Sequence, residues 1–324
     1  MIAWLVCVLL ACMVAGSTGA VGWASSGRSG LGPLIVEPDQ GYTPIYTLLS
    51  SAKHTLDMTM YEFSDSSAEK ALIDDAARGV TVRVLLDKQY HGGPFNQPVF
   101  DDLARHHVKV QWASTQVSIT HQKSFVIDGK KAVIMTGNLT SRYYPTSRDF
   151  ALVDTKKTDV QAIETTFDLD WEDSKGTAPT GADLVWSPGS QAPLVALIGS
   201  AKHSLLVENE EMKAPQIVSA LEDAAKRGVT VQVVMTNSPN WKTSFDGLKA
   251  AGVSVRTYKN SSKTLYIHAK IIEADNQRVF LGSENFSVGS LQYNRELGLI
   301  TTSRPIVQAT TTTFASDYAG ATPW

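Results

Sequence analysis

His121-Gln122-Lys123-Ser124-Phe125-Val126-Ile127-Asp128 and His268-Ala269-Lys270-Ile271-Ile272-Glu273-Ala274-Asp275 are two stretches of one chain with His, Lys and Asp at the same spacing. Their downstream neighbours match as well. Asn138 and Asp149 lie 17 and 28 residues after the first histidine, and Asn285 and Glu296 stand equally far from the second, at an offset of 268 − 121 = 147. Upstream, Ser51-Ala52-Lys53-His54 returns as Ser200-Ala201-Lys202-His203, an offset of 200 − 51 = 149. Arg78-Gly79-Val80-Thr81-Val82 returns as Arg227-Gly228-Val229-Thr230-Val231 at that same offset. The chain is a duplicated domain.

Each copy has the same order of elements. A short helix precedes Ser-Ala-Lys-His, then come a strand, a helix of Ala and charged residues ending at Arg-Gly, and a Val-rich strand. A second helix and strand succeed these, near Val99 to Val110 and Ser244 to Val255, and a strand pair starts at each motif histidine. Such alternation predicts an α/β fold, with two similar sandwich lobes related by an approximate two-fold axis and sharing one cleft. The lobes are expected over 33–181 and 182–324, joined by a connection rich in Pro, Gly and Ala over 176–189.

An apolar run from Ile2 to Ala15, followed by small residues to Ala24, reads as a secretory signal over 1–24 and predicts an exported protein. Both cysteines, Cys7 and Cys12, lie inside it, so the mature chain has no thiol for a disulfide, a nucleophile or a metal. With 43% hydrophobic and 19% charged residues the composition is that of an ordinary globular protein. A net charge of −3 carries no sign of the basic excess of nucleic-acid binders, though a local basic groove can do the same work.

A histidine and a lysine two apart on a strand share a face, so each copy presents an imidazole beside an ammonium. Asp128 and Asp275, seven residues after the histidines, have the opposite parity and read as braces for the turn at the end of the strand. Asn138 and Asn285 can bring an amide donor to the same site. Asp149 and Glu296 can accept a hydrogen bond from the far ring nitrogen of a histidine and set its tautomer. A metal held by His121 and His268 is disfavoured, because a lysine stands beside each. His54 and His203 read as solvated structural histidines, and Glu62 and Glu211 as solvated loop carboxylates. Tyr143, Tyr144 and Tyr293 lie in loops after the asparagines, where they can contact an acyl chain, stack on a base or simply pack.

The paired pattern resembles the HxKxxxxD signature of the phospholipase D superfamily, over nearly the whole chain beyond residue 24. It is similar in order to the secreted bacterial nuclease of that superfamily, which forms by dimerisation what this chain makes by duplication. The resemblance implies a metal-independent and cofactor-independent phosphodiesterase working as a monomer. It counts His121, Lys123, Asp128, His268, Lys270 and Asp275 as the catalytic motif residues. His121 attacks phosphorus and forms a phosphohistidine, while His268 protonates the leaving alcohol and then activates water. Lys123, Lys270, Asn138 and Asn285 hold the phosphoryl oxygens, meeting the charge that builds in the transition state. The expected substrate is a phospholipid at a membrane surface, hydrolysed to phosphatidic acid; nucleic acid is the alternative.

Overall fold

The computed structural model describes residues 30–324, so the signal segment expected over 1–24 lies outside the described residues. The first lobe runs β1 (Leu31–Glu37), α1 (Thr43–Leu49), β2 (Thr55–Met60), α2 (Ser66–Ala77), β3 (Thr81–Leu86), α3 (Gly92–Arg105), β4 (Lys109–Trp112), β5 (Lys123–Ile127), β6 (Lys131–Met135), β7 (Ser147–Asp154) and α4 (Lys157–Trp171). The second runs β8 (Leu184–Ser187), α5 (Gln191–Ser200), β9 (Ser204–Glu208), α6 (Pro215–Lys226), β10 (Thr230–Thr236), α7 (Lys242–Ala250), β11 (Ser254–Tyr258), β12 (Tyr266–Ile267), β13 (Ile271–Ala274), β14 (Arg278–Gly282), α8 (Val288–Gln292), β15 (Glu296–Thr301), α9 (Arg304–Gly320) and β16 (Thr322–Pro323). β1 begins two residues ahead of the start at 33 expected from composition.

The two sheets have the same strand order. The first is β1-β7-β6-β5-β2-β3-β4 and the second β8-β15-β14-β13-β9-β10-β11, with β16 added at its edge. In each, three parallel strands belong to the helical half of the copy and the rest are antiparallel, joined by a tight hairpin after the motif lysine. The duplication in sequence is thus a duplication of topology.

Alternation along the strands separates three cores. Phe125 and Ile127 pack with Val133, Met135, Ala151 and Val153 against the helices of the first lobe. Their neighbours Val126, Ala132, Ile134, Phe150 and Leu152 point the other way, into a shared core. From the second lobe that core receives Ile271, Val279, Leu281, Leu297 and Leu299, together with Phe314 of α9. Strands buried on both faces read as unbroken apolar runs, which is how β5 to β7 and their copies appear in the sequence. The sheets therefore meet face to face along an apolar seam.

The seam is fastened by two ion pairs that are copies of each other. Arg148 makes a bidentate pair with Asp317 of α9 at 2.6 and 2.9 Å, and Arg295 makes one with Asp170 of α4 at 2.9 and 2.8 Å. Both relations use the offset 147, since 148 + 147 = 295 and 170 + 147 = 317. Each arginine reaches into the other lobe, and each precedes one of the acidic residues that the spacing singled out.

Candidate active site

Two short backbone pairings bring the histidines to the middle of the molecule. β12 of the second lobe pairs in parallel with β7 of the first sheet, with Tyr266 opposite Ser147 and Ile267 opposite Arg148. The next residues along are His268 and Asp149. In the other half a parallel bridge joins Thr120 to Arg295, and the next residues along are His121 and Glu296. Side-chain acceptors hold these approaches in place: Asp87 takes the Thr120 N–H at 2.8 Å, and Thr236, the matching position (87 + 149 = 236), takes the Ile267 N–H at 2.8 Å.

Each histidine is consequently oriented by the opposite lobe. His121 Nδ1 lies 2.8 Å from Glu296 Oε2, and His268 Nδ1 lies 2.8 Å from Asp149 Oδ1. A carboxylate only accepts, so Nδ1 carries the proton in both rings and Nε2 faces the cleft. The acceptors are themselves held. Ser290 Oγ donates to Glu296 Oε1 at 2.6 Å, while Thr136 Oγ1 and Ser147 Oγ donate to Asp149 at 2.7 and 2.6 Å. Burial works to raise both carboxyls, but the facing histidine and the lysines outweigh it and hold them below their ordinary range.

Lys123 and Lys270 are buried, and each ammonium donates to the carbonyl of the histidine two residues before it. Burial, reinforced by Lys270, pushes Lys123 down to about 7 against the pull of Glu296. Burial also takes His121 down to about 4, with Glu296 opposing and both lysines assisting. That Lys270 acts on groups of the first lobe is the electrostatic sign of one shared site. Asn285 is buried and Asn138 half-buried, and the Oδ1 of each is buried without a hydrogen-bond partner among the described residues. Both amides thus keep polar capacity for a ligand.

Asp128 and Asp275 are the braces that their parity suggested, and only their place among the catalytic motif residues requires a correction, because they do not reach the histidines. Each sits in a turn with φ of 52° and 57°, at the far end of the strand that begins at or just after its lysine, about 16 Å along from it at the usual rise per residue. Asp128 accepts the backbone N–H groups of Lys53, His54 and Thr55, and Asp275 those of Lys202, His203 and Ser204. Partial burial opposes ionisation there, but these three donors hold both carboxyls low. The repeated Ser-Ala-Lys-His segments are the loops those carboxylates brace, and His54 and His203 are exposed within them.

Sequence reasoning overlooked two residues. Glu62 is not a solvated carboxylate but buried, and the residue that enters the cleft precedes it: Tyr61 in the first half, Glu210 in the second (61 + 149 = 210). The Tyr61 ring stands edge-on to His121 with centroids 4.6 Å apart, and Lys123 Nζ is 5.1 Å from its centre. Glu210 Oε2 lies 3.2 Å from Lys270 Nζ, 3.4 Å from His268 Nε2 and 3.3 Å from Asn285 Nδ2, and Tyr266 donates to its Oε1 at 3.0 Å. An acidic residue at the end of a strand whose copy has Tyr was the available signal. Tyr144 proves to be packing, stacked on Tyr42 and bonded to Asp65 at 2.7 Å, whereas Tyr143 and Tyr293 are exposed.

Two crossed His–carboxylate pairs, two buried lysines and two asparagines form the site the repeat predicted. The family model described as "Cardiolipin synthase, PLD-like domain" matches residues 45–171 and 194–318, one match per lobe. The chain belongs to the phospholipase D superfamily. It is 26% identical over 318 residues to the major cardiolipin synthase of Bacillus subtilis, an alignment that takes in 83% of this chain and 65% of that protein. A cardiolipin synthase of Bacillus cereus is 22% identical, with 60% of its length covered. The chain thus spans less than two thirds of these relatives. Among solved structures, the phosphatidylserine synthase of Haemophilus influenzae superposes with a TM-score of 0.69 at 12% identity, covering 93% of this chain and 89% of that one. It shares the fold.

Proposed function

We propose that this chain is a phosphodiesterase that acts on phospholipid head groups through a phosphohistidine. His121 Nε2, its lone pair free because Nδ1–H is held by Glu296, attacks phosphorus. The bond to the head-group oxygen breaks as His268, which at this stage carries a second proton on Nε2 beside the one held on Nδ1 by Asp149, gives that oxygen the Nε2 proton. Water then transfers a proton to His268 while its oxygen attacks phosphorus, and the phosphorus–nitrogen bond breaks with its electron pair returning to His121. Lys123, Lys270, Asn138 and Asn285 surround the phosphoryl oxygens, so the charge of in-line displacement meets two cations and two amides. One chain carries both halves, which makes a monomer sufficient.

The observation that carries the lipid reading is the charge and lining of the cleft. Lys123 and Lys270 share it with three carboxylates, those of Asp149, Glu296 and Glu210, and a polyanion needs the opposite balance. The exposed large apolar side chains among the described residues are Tyr90, Tyr143, Val288 and Tyr293. Each lies in the segment after β3 or in one leading from a site asparagine to a histidine-orienting carboxylate, which suits contact with a lipid surface. The names of the relatives agree with lipid chemistry and support transfer to an alcohol in place of water. The apolar run Ile2–Ala15 supports export. The test is purified protein with EDTA, offered phosphatidylglycerol or phosphatidylcholine vesicles and, separately, plasmid DNA. Phosphatidic acid or a transphosphatidylation product with intact DNA is expected. Degraded DNA with untouched lipid overturns the substrate while keeping the histidine chemistry.

A further inference from the structure

The two half-sites offer phosphorus unequal surroundings. In the first, the residue just after β2 is Tyr61, which lays a ring edge beside His121 and leaves Lys123 and Asn138 without a carboxylate among their hydrogen-bond partners in the described residues. In the second, Glu210 gathers Lys270, Asn285 and the cleft-facing nitrogen of His268 around one oxygen. The three contacts are long, 3.2 to 3.4 Å, whereas the Tyr266 hydroxyl fixes the other oxygen at 3.0 Å. Tyr266 itself is set by the β12–β7 pairing. Glu210 is therefore a positioned carboxylate with one exchangeable oxygen, its side chain 24% exposed, beside the nitrogen that handles the alcohol proton. Burial opposes its ionisation, but His268 and Lys270 keep it ionised far below neutrality.

We infer that Glu210 determines which alcohols this enzyme handles: its exchangeable Oε2, given up by Lys270 and Asn285 as they turn to phosphate, binds a second hydrogen-bond donor, a hydroxyl or an ammonium, on the alcohol that leaves or attacks phosphorus beside His268. The phosphoryl oxygens then take Lys123, Asn138, Lys270 and Asn285, and the alcohol lies beside Glu210. Simple alkanols, with no second donor, leave that oxygen unserved once phosphate draws Lys270 and Asn285 away, and such a lost partner is what makes polar sites selective. The inference rests on the two-step reading above and does not need the substrate to be a lipid.

Partition of a single intermediate tests it. Bis(4-nitrophenyl) phosphate is turned over by the purified protein in equal concentrations of glycerol and 1-propanol, and separately of ethanolamine and 1-propanol, and the two transfer products are quantified. Because both arise from the same phosphohistidine, their ratio is unaffected by how much of a variant is folded. The wild type should favour glycerol and ethanolamine at least tenfold, and Glu210→Ala should bring both ratios near one. Glu210→Gln should retain part of the glycerol preference and lose that for ethanolamine, since its amide oxygen still accepts but carries no charge. Equal ratios in wild type and both variants overturn the inference, as does a wild type that forms no alcohol product. A wild type that ignores vesicles yet shows the preference removes the lipid reading and leaves this one standing.

Discussion

The first and second half-sites differ most where they face the substrate and least where they hold the backbone. Asp128 and Asp275 capture the same three backbone N–H groups, Arg148 and Arg295 make the same crossed ion pairs, and Asp149 and Glu296 receive the same Nδ1–H. Within that frame Tyr61 is matched by Glu210 and Gly137 by Glu284. At Gly137 a Cβ would stand 2.7 Å from the carboxyl carbon of Asp149, so the first copy has no room for a side chain there. Glu284 in the second copy is fully buried, its oxygens lack hydrogen-bond partners among the described residues, and burial followed by the charge of Glu296 pushes its carboxyl well up. A duplicated frame can thus hold two half-sites with different tasks, provided the changes are confined to side chains near the strand ends at the cleft.

The strongest way to break this comparison is at the histidines. His121→Ala should remove turnover of any diester, including activated ones, by about four orders of magnitude or more, because no covalent step remains. His268→Ala should lose about 10² to 10⁴-fold on phospholipids and much less in the first step on bis(4-nitrophenyl) phosphate, whose leaving group needs no proton. A burst of nitrophenol in His268→Ala and none in His121→Ala is the expected pair; the reverse pattern exchanges the roles of the lobes.

Next in size are the crossed carboxylates. Asp149→Asn and Glu296→Gln should each cost about 10² to 10⁴-fold in kcat by allowing the wrong histidine tautomer. The damage belongs to the opposite lobe. Asp149→Asn should therefore keep the nitrophenol burst, since His268 is its client, and Glu296→Gln should lose it.

A smaller effect distinguishes the lysines. Lys123, lowered to about 7, is an ammonium below that pH and loses its charge above it, while His121, lowered to about 4, is neutral above its own. The profile of kcat/KM, which reports the free enzyme, should rise through about pH 4 and fall through about pH 7. Lys123→Arg, charged throughout, should shift or abolish the alkaline fall even if its peak rate is lower. An unchanged alkaline limb in Lys123→Arg would assign it to another group.

The smallest change belongs to the braces. Asp128→Ala and Asp275→Ala should each lose about 1 to 2 kcal/mol in urea unfolding, because three backbone donors lose their acceptor but those of Lys53 and Lys202 can turn to water. Activity at saturating substrate should stay within about threefold. A loss as large as that of the lysine variants would return these aspartates to the reaction.

Much of this architecture was legible in the order of residues. The 147 and 149 offsets announced two copies with a His-x-Lys pair in each, and the spacing set Asp128 and Asp275 apart from them; the strand expected to start at each histidine begins only at Lys123 and at Ile271, so the histidines stand ahead of it. These are local properties: a period along one strand or a spacing along one chain. Which lobe's carboxylate serves which histidine was not legible, since Asp149 is 28 residues from His121 yet binds His268, 119 residues away. The β12–β7 pairing decides that, and β12 is two residues long, too short to leave a pattern. Glu210 shows the same division. Its offset partner Tyr61 was visible, but only the convergence of Lys270, His268, Asn285 and Tyr266 around one carboxylate reveals a cleft residue, because contacts between distant segments are set by how the sheets pack along their shared seam and not by the order of residues within either.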